Sequence, residues 1–415
     1  MPIVLNQTPR DGAFLGLFVG DALAMPVHWY YDAGAIKRDY NGWLTGYKAP
    51  NHRHPSSMIA ISSTTGGGRK PPRSSAHQYP QVPVVGKLIL HDKLKFWTKA
   101  GESIHYHQGL DAGDNTLNAL CALQVAQALK SQAKHTADIT CRAAALEAYV
   151  KFMTTPGTHG DTYAESFHRA FFKDWDAAGR PTKGEEIVKF AERRFKRVAF
   201  SGKEDSHLAT IGALVMALPF LLRSLDDEED VAVRQAVDWV MLTNPAPSII
   251  PHVELYAQSL HRCLHGADAR YVAKRALTST QLGGHALMKR VESMEKEIVH
   301  ARSNMLPSEQ LLRLYQTATW ELGSNCQIHG ALKSLFFLAY MFSNNFEAGV
   351  LTNTNCGGEN CHRGAALGAL LGAAAVHQGQ GIPQQFVDNL GSSKAAILKM
   401  VPLYAADTVK STEKR

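Results

Sequence analysis

Cysteine is scarce: Cys121, Cys141, Cys263, Cys326, Cys356 and Cys361 are the only six in 415 residues. That density excludes a disulfide-stapled secreted scaffold. Most of the six sit in apolar, helical-looking sequence, where a free thiol behaves as a small buried hydrophobe. Cys356 and Cys361 alone lie close together, and CxxxxC without a second pair does not make a structural zinc site. No window approaches the roughly 18 uninterrupted apolar residues of a membrane span, so no membrane partner is expected. The first residues, MPIVLNQTPRDGAF, have neither the basic start nor the apolar core of a secretory signal, and the cytoplasm is the expected compartment. Charge of one sign is not concentrated either. The net charge is +7 and the pI about 9.0, but the basic residues are scattered apart from Arg193, Arg194, Lys196 and Arg197 on one stretch. Without an aromatic-interleaved basic run or a reader motif, nucleic acid is not an expected partner. A basic surface that draws in an anionic small ligand is compatible with the balance. Period-two alternation long enough for a sheet is also lacking.

What is present is helical periodicity. Residues 115–131 place Leu117, Leu120, Cys121, Val125 and Leu129 on one stripe; residues 207–223 do so with Leu208, Ile211, Val215, Leu218 and Leu222; residues 229–242 with Val233, Ala236, Val237, Val240 and Met241. Residues 364–376, GAALGALLGAAAV, are small enough for another backbone to approach closely, which predicts a central helix. Residues 41–90, rich in Gly, Pro, Ser and His, read as a loop longer than an ordinary connection, functional or partly mobile. No linker divides the chain. The expectation is an all-α fold in one domain over residues 1–405, with a polar, frayed tail over 406–415. Oligomeric state is not legible.

Three segments carry chemistry. In residues 12–32 an apolar, Gly-spaced helix runs into Gly20-Asp21 and ends near Pro26. A carboxylate among apolar residues needs a partner, which is either a helix-to-helix hydrogen bond or, with Asp21 and His28 together, a ligand cleft. In residues 109–118 Asp111, Asp114, Asn115 and Thr116 cluster ahead of an apolar helix. Thr116 or Asn115 as a helix cap accounts for one or two of them. Four oxygen-bearing side chains within six positions also suit Mg2+ or Mn2+. In residues 352–365 Gly357 and Gly358 precede Glu359, Asn360, Cys361, His362 and Arg363 at the start of the small-residue helix. The glycines permit positive φ and close ligand approach, and the helix start offers N–H groups to an anion.

Together these segments resemble the ADP-ribosylglycohydrolase family. GLFVGDALAMPV matches its G-x-x-x-GDALG-x-P first helix, GLDAGDNT stands at its T-D-D-T element, and CGGENCHRGAALGALLGA stands at its G-G-D-x-D-[ST] element and the helix that follows. LTNPAPSIIPHVELYAQSL resembles its L-T-H-P element and SHLATIGALVMALPFLL its central N-G-A-x-M-R-x-x-P helix, so the likeness spans residues 12–376. The resemblance implies an all-helical orthogonal bundle. It also implies two Mg2+ (Mn2+ in some members) between the second and last motifs, which hold the ribose and the water that attacks its anomeric carbon.

The departures fall on the ligands. Gly113 stands for the first Thr, Asp114 is kept, Asn115 replaces the second Asp, and Thr116 is kept. Glu359 and Cys361 take the two Asp positions of the last motif and His362 its Ser/Thr position. Asn244 replaces the His of the L-T-H-P element, Ile211 and Met216 replace a polar Asn and Arg, and His28 stands where an acidic residue is expected. Four core carboxylates thus become two. The metal ligands implied are Asp114, Asn115, Glu359 and Cys361, for a two-ion site that is weakened, reduced to one ion or re-purposed. Cys361 with His362 would suit Zn2+ better than Mg2+, and a metal-free acid–base site from Asp114, Glu359, Cys361, His362, His28 and His207 is the other arrangement. The expected activity is hydrolysis of a glycosidic bond in an ADP-ribosyl or related ribosyl or glycosyl conjugate. Asp114, Glu359 and His362 would be catalytic, and Asp21, His28, Gly357, Gly358, Asn360 and His207 would bind the small-molecule or ADP-ribosylated substrate. A non-catalytic member that binds a nucleotide sugar or serves a structural role, or a hydrolase of an unrelated substrate, are the alternatives.

Overall fold

In a computed structural model, which describes residues 7–64, 85–98 and 103–401, the regular elements are helices throughout. Among the described residues the β-type pairing is a single isolated antiparallel bridge, Arg53 with Ile104. The all-α expectation holds. The tail 406–415 and residues 65–84 of the long loop lie outside the described residues. The described part of that loop is not wholly irregular, for Ile59–Ile61 and Val85–Leu90 form short helical turns.

The chain forms two compact units. One comprises Met1–Pro50, Asp111–Asn115 and Glu254–Arg415, the other Asn51–Leu110 and Thr116–Val253.

The first unit is built on two helices whose backbones touch. Pro9–Ala24 starts at a capping box: Asp11 N–H donates to Thr8 Oγ1 at 3.2 Å and Thr8 N–H to Asp11 Oδ2 at 2.8 Å, with Pro9 in the first turn where its missing N–H is not needed. It is buried from Asp11 to Ala24 and gives way to a 3-10 turn, Met25–Val27, at Pro26. Asn360–His377 is buried from Asn360 to Ala375, which makes it central to its unit as its small residues predict. Gly12, Gly16 and Gly20 face Gly372, Gly368 and Gly364 in that order, so the pair is antiparallel. A Cβ on Gly16 would lie 2.1 Å from the Gly368 carbonyl oxygen, and one on Gly20 2.1 Å from that of Gly364. No side chain fits in this seam. Beyond the first helix, Val27, Tyr30, Ala35, Ile36 and Leu44 bury together with Tyr40 and Trp43 against them. Asn355 clamps that loop, accepting from Leu44 N–H at 2.9 Å and donating to its carbonyl at 2.8 Å.

In the second unit the expected helices appear as Leu117–Lys130, Ala213–Arg223 and Glu229–Thr243. The middle one starts later than its apolar stripe. Asp205 instead caps a separate 3-10 turn, Ser206–Leu208, through His207 N–H, and Ala209 (φ −79°, ψ 56°) breaks the helical path. Leu208 is nonetheless buried, as its place on the stripe predicts. Neither Thr116 nor Asn115 caps Leu117–Lys130. Thr116 sits at the cap position with no side-chain capping bond, and the buried Asp161 carboxylate accepts from Leu117 N–H at 2.7 Å while pairing with His107 Nδ1 at 2.8 Å. A carboxylate at a helix start is favoured by the exposed N–H groups and the dipole there.

Candidate functional site

Glu359 is the N-cap of the small-residue helix and is fully buried. Three side chains converge on its carboxylate. His28 Nε2 and His362 Nδ1 each lie 2.9 Å from Oε1, and the Trp29 indole N–H donates to Oε2 at 2.6 Å. His362 N–H reaches Oε1 at 3.3 Å. Burial alone would raise the pKa of Glu359, but the charges and hydrogen bonds of His28 and His362 outweigh it and hold the carboxyl well below its usual range. His28 stacks on Trp29 with ring centroids 3.9 Å apart and meets His362 edge-on at 5.0 Å. Among the described residues His28, Glu359 and His362 are the group of three His, Cys, Asp or Glu side chains whose ligand atoms all lie within 4.8 Å of one another.

Backbone geometry fixes this cluster from both sides. Gly357 and Gly358 take φ of +66° and +64°, which only glycine adopts readily. Gly358 N–H donates to the Tyr30 carbonyl and Trp29 N–H to the Gly358 carbonyl, both at 2.8 Å, and Glu359 N–H donates to Ser324 O at 2.7 Å. A Cβ on Gly357 would lie 2.3 Å from Tyr30 O, and one on Gly358 2.3 Å from Ser324 O. The close approach these glycines permit is therefore that of the chain's own backbone. Trp29 is itself at φ +64°, a sparsely populated conformation for a bulky residue.

The other sequence-predicted residues lie in separate hydrogen-bond networks. Asp114 ties two loops together: Oδ1 accepts from the N–H and the hydroxyl of Ser392, both at 2.7 Å, and Oδ2 accepts from Asp111 N–H at 2.9 Å. Asn115 donates to Phe18 O at 2.8 Å and to Asp21 Oδ2 at 3.0 Å, and accepts from the Ser393 hydroxyl at 2.6 Å. Cys361 Sγ lies 3.3 Å from Asp21 Oδ1 and 3.4 Å from Asp21 O. Asn360 donates to Thr354 O and its carbonyl accepts from Asn353, both at 2.8 Å, which joins two helix ends. His207 is exposed in the second unit, where its N–H donates to Asp205 and its carbonyl accepts from Ser166. Of the residues singled out from sequence, the structure thus gathers Glu359, His28 and His362 into one cluster. Asp21, Asn115 and Cys361 form a second. Trp29 is the participant that sequence reasoning missed, since its role rests on a positive φ that no pattern announces.

A pair of Mg2+ ions requires several hard oxygen donors converging on open positions. Here the oxygens of Asp114 and Asn115 are engaged by Ser392, Asp111 and Ser393. Asp21 is engaged by an amide and a thiol, and Glu359 faces two imidazole nitrogens. This donor set does not fit a two-Mg2+ cage.

No curated protein sequence matches the chain significantly. A solved structure described as an "ADP-ribosylglycohydrolase-related protein complex" is similar to it at 19% identity, over 96% of this chain and 98% of that one, with a TM-score of 0.48. The sequence model of the ADP-ribosylglycohydrolase family matches residues 11–413, across both units and every segment described above, and the chain belongs to that family.

Proposed function

We propose that the chain hydrolyses a glycosidic bond in an ADP-ribosyl or related ribosyl or glycosyl conjugate, with the Glu359–His28–His362 cluster as its reacting centre. The observation that carries this reading is the buried carboxylate Glu359, held ionised between two imidazoles at the start of the helix Asn360–His377, in the segment that resembles the family's last motif. Glycosidic cleavage builds positive charge on the anomeric carbon and ring oxygen. A fixed carboxylate beside them stabilises that charge where it develops, and the low-dielectric surroundings strengthen the effect. The bond from the anomeric carbon to the leaving nitrogen or oxygen breaks, water oxygen takes its place, and the proton lost by water ends on the leaving group. Activating that water is the chemistry that a divalent cation beside Glu359 would supply. The resident cofactor in this reading is a divalent cation, and the place of action is the cytoplasm. Among the described residues no helix is long and apolar enough to cross a membrane.

The test is release of free ADP-ribose or ribose from a panel of ADP-ribosylated peptides and small N- and O-ribosyl conjugates, with Mg2+, Mn2+ or Zn2+ present in turn. Turnover of at least one class is expected. Glu359→Gln should reduce kcat/KM by about 100-fold or more, the scale for removal of one preorganised electrostatic group, in a protein whose circular dichroism is unchanged. A specific observation favours a second reading: the family's ligand position Asp114 is spent on tying the 111–115 loop to Ser392. Binding of ADP-ribose without any turnover across the panel would establish that non-catalytic reading.

A further inference from the structure

We infer that His28, Glu359 and His362 form a site for one transition-metal dication, Zn2+ foremost, in place of the family's two-Mg2+ cage. Two imidazole nitrogens and one carboxylate oxygen are a donor set that suits Zn2+ and its first-row neighbours and suits Mg2+ poorly. The spacing agrees. For tetrahedral metal–ligand bonds of about 2.1 Å, adjacent donor atoms stand about 3.4 Å apart; the nitrogens of His28 and His362 each lie 2.9 Å from Glu359 Oε1, and the three ligand atoms all lie within 4.8 Å of one another, so shifts of about half an ångström would seat an ion. Three protein donors are one fewer than the four of a closed structural site, the count of catalytic sites that keep a position for water.

The surroundings resemble the support that metal ligands need. Trp29 holds Glu359 Oε2 with its indole N–H, so that Oε1 alone turns toward the imidazoles, and its ring packs flat on His28. Outer contacts of this kind fix the orientation of a ligating carboxylate and histidine. Trp29 reaches both only by adopting φ +64°, a strained conformation of the sort that persists where the surrounding structure enforces it. The stoichiometry follows from charge. The single carboxylate in the cluster offsets half the charge of one dication and leaves nothing for a second, and the Asp21 carboxylate is engaged by Asn115 and Cys361.

The experiment uses the full chain stripped with a chelator and reloaded with Zn2+, with Mg2+ as the comparison. Metal content after gel filtration and the thermal midpoint are read together, because a ligand that binds only the native state raises that midpoint. One Zn2+ per chain and a raised midpoint are expected, with no rise from Mg2+ at the same concentration. His28→Gln and His362→Gln should each weaken Zn2+ binding at least tenfold, while Asp114→Asn and Cys361→Ser should leave it unchanged. X-ray absorption of the Zn2+-loaded wild-type chain should show two imidazole ligands, and it decides the matter even where a variant does not fold. Two ions per chain, no bound ion, undiminished binding in both histidine variants, loss of binding in Asp114→Asn, or a spectrum without imidazole overturns the site. An ion bound as described but with no turnover on any conjugate overturns only the proposed reaction.

Discussion

Gly368→Ala probes the contact on which the first unit is built. A Cβ at Gly368 would lie 2.0 Å from the Gly16 carbonyl oxygen and 2.8 Å from its carbon, against an ordinary contact of 3.4 Å or more. The shortfall is about 1.4 Å, and the obstructing atoms belong to a helix backbone, which cannot rotate away as a side chain would. Two effects compete. Alanine in a helix interior is favoured over glycine by about 1 kcal/mol. Forcing the helices apart costs about 1–3 kcal/mol for overpacking, and it also opens the seam at the neighbouring Gly12–Gly372 and Gly20–Gly364 contacts, which lose close packing along three turns. With the lost packing along the seam added, the clash outweighs the propensity gain, and a net loss of about 1–2 kcal/mol is expected, against the roughly 5–15 kcal/mol that holds a typical domain together. Urea unfolding of wild type and variant measures it, and Gly46→Ala is the control. Gly46 has nothing within 4 Å of where a Cβ would stand, so its change should fall within about 0.5 kcal/mol. If Gly368→Ala proved as stable as wild type or more so, helix propensity would have outweighed the clash and the backbone contact would not be as close as described.

Asp161→Asn should destabilise the second unit by about 3 kcal/mol at neutral pH, since it leaves His107 without its buried partner and weakens the acceptor for Leu117 N–H. Burial raises the pKa of Asp161, but His107 and the backbone donors Leu117 and Tyr163 pull it below its usual 3.8. The stabilisation is therefore complete above about pH 3.8 and is lost as pH falls through the lower folded-state value, so the gap between wild type and variant should close in acid unfolding only below pH 3.8. Thr8→Ala removes one half of the capping box of the first helix and should lower stability by about 1 kcal/mol in the same urea assay. Trp29→Phe keeps an aromatic ring against His28 but deletes the donor to Glu359 Oε2; Zn2+ affinity should fall about 10-fold or more, the scale for losing an outer contact to a metal ligand, and unaltered affinity would show that the indole N–H does not orient the carboxylate.

Much of the fold was legible because it depends on local pattern. The Gly12, Gly16, Gly20 spacing and the Gly364, Gly368, Gly372 spacing each recur every four residues, the interval that keeps one helix face bare. Their mutual contact follows from that bareness. The site was legible only in part. His28, Glu359 and His362 were each singled out, yet their convergence joins positions 331 residues apart, and no periodicity encodes that distance. Trp29 was invisible because its part depends on a left-handed backbone. Asp161 was missed as the cap of Leu117–Lys130 because its carboxylate comes from 44 residues along the chain, whereas capping rules look only to adjacent residues.

The altered ligand positions form a consistent set around Asp21. In the family pattern positions 115 and 361 are carboxylates, and beside a buried third carboxylate they are tolerable only when a cation offsets the charge. Here position 115 supplies an amide N–H to Asp21 Oδ2, and position 361 brings a thiol to Asp21 Oδ1. Both replacements turn an acceptor into a donor toward the surviving carboxylate, and Ser393 takes up the remaining oxygen of Asn115. Burying an unpaired charge is among the most unfavourable arrangements in a protein interior, and these two exchanges remove the need for an ion at Asp21 without leaving its oxygens unpaired. The exchanges at 28, 359 and 362 go the other way: they place two imidazoles against one lengthened carboxylate. In the proposed site the donors for a cation are therefore those of the single nitrogen-rich cluster just beyond the C-terminal end of the first helix, while Asp21 in its last turn is satisfied by an amide and a thiol.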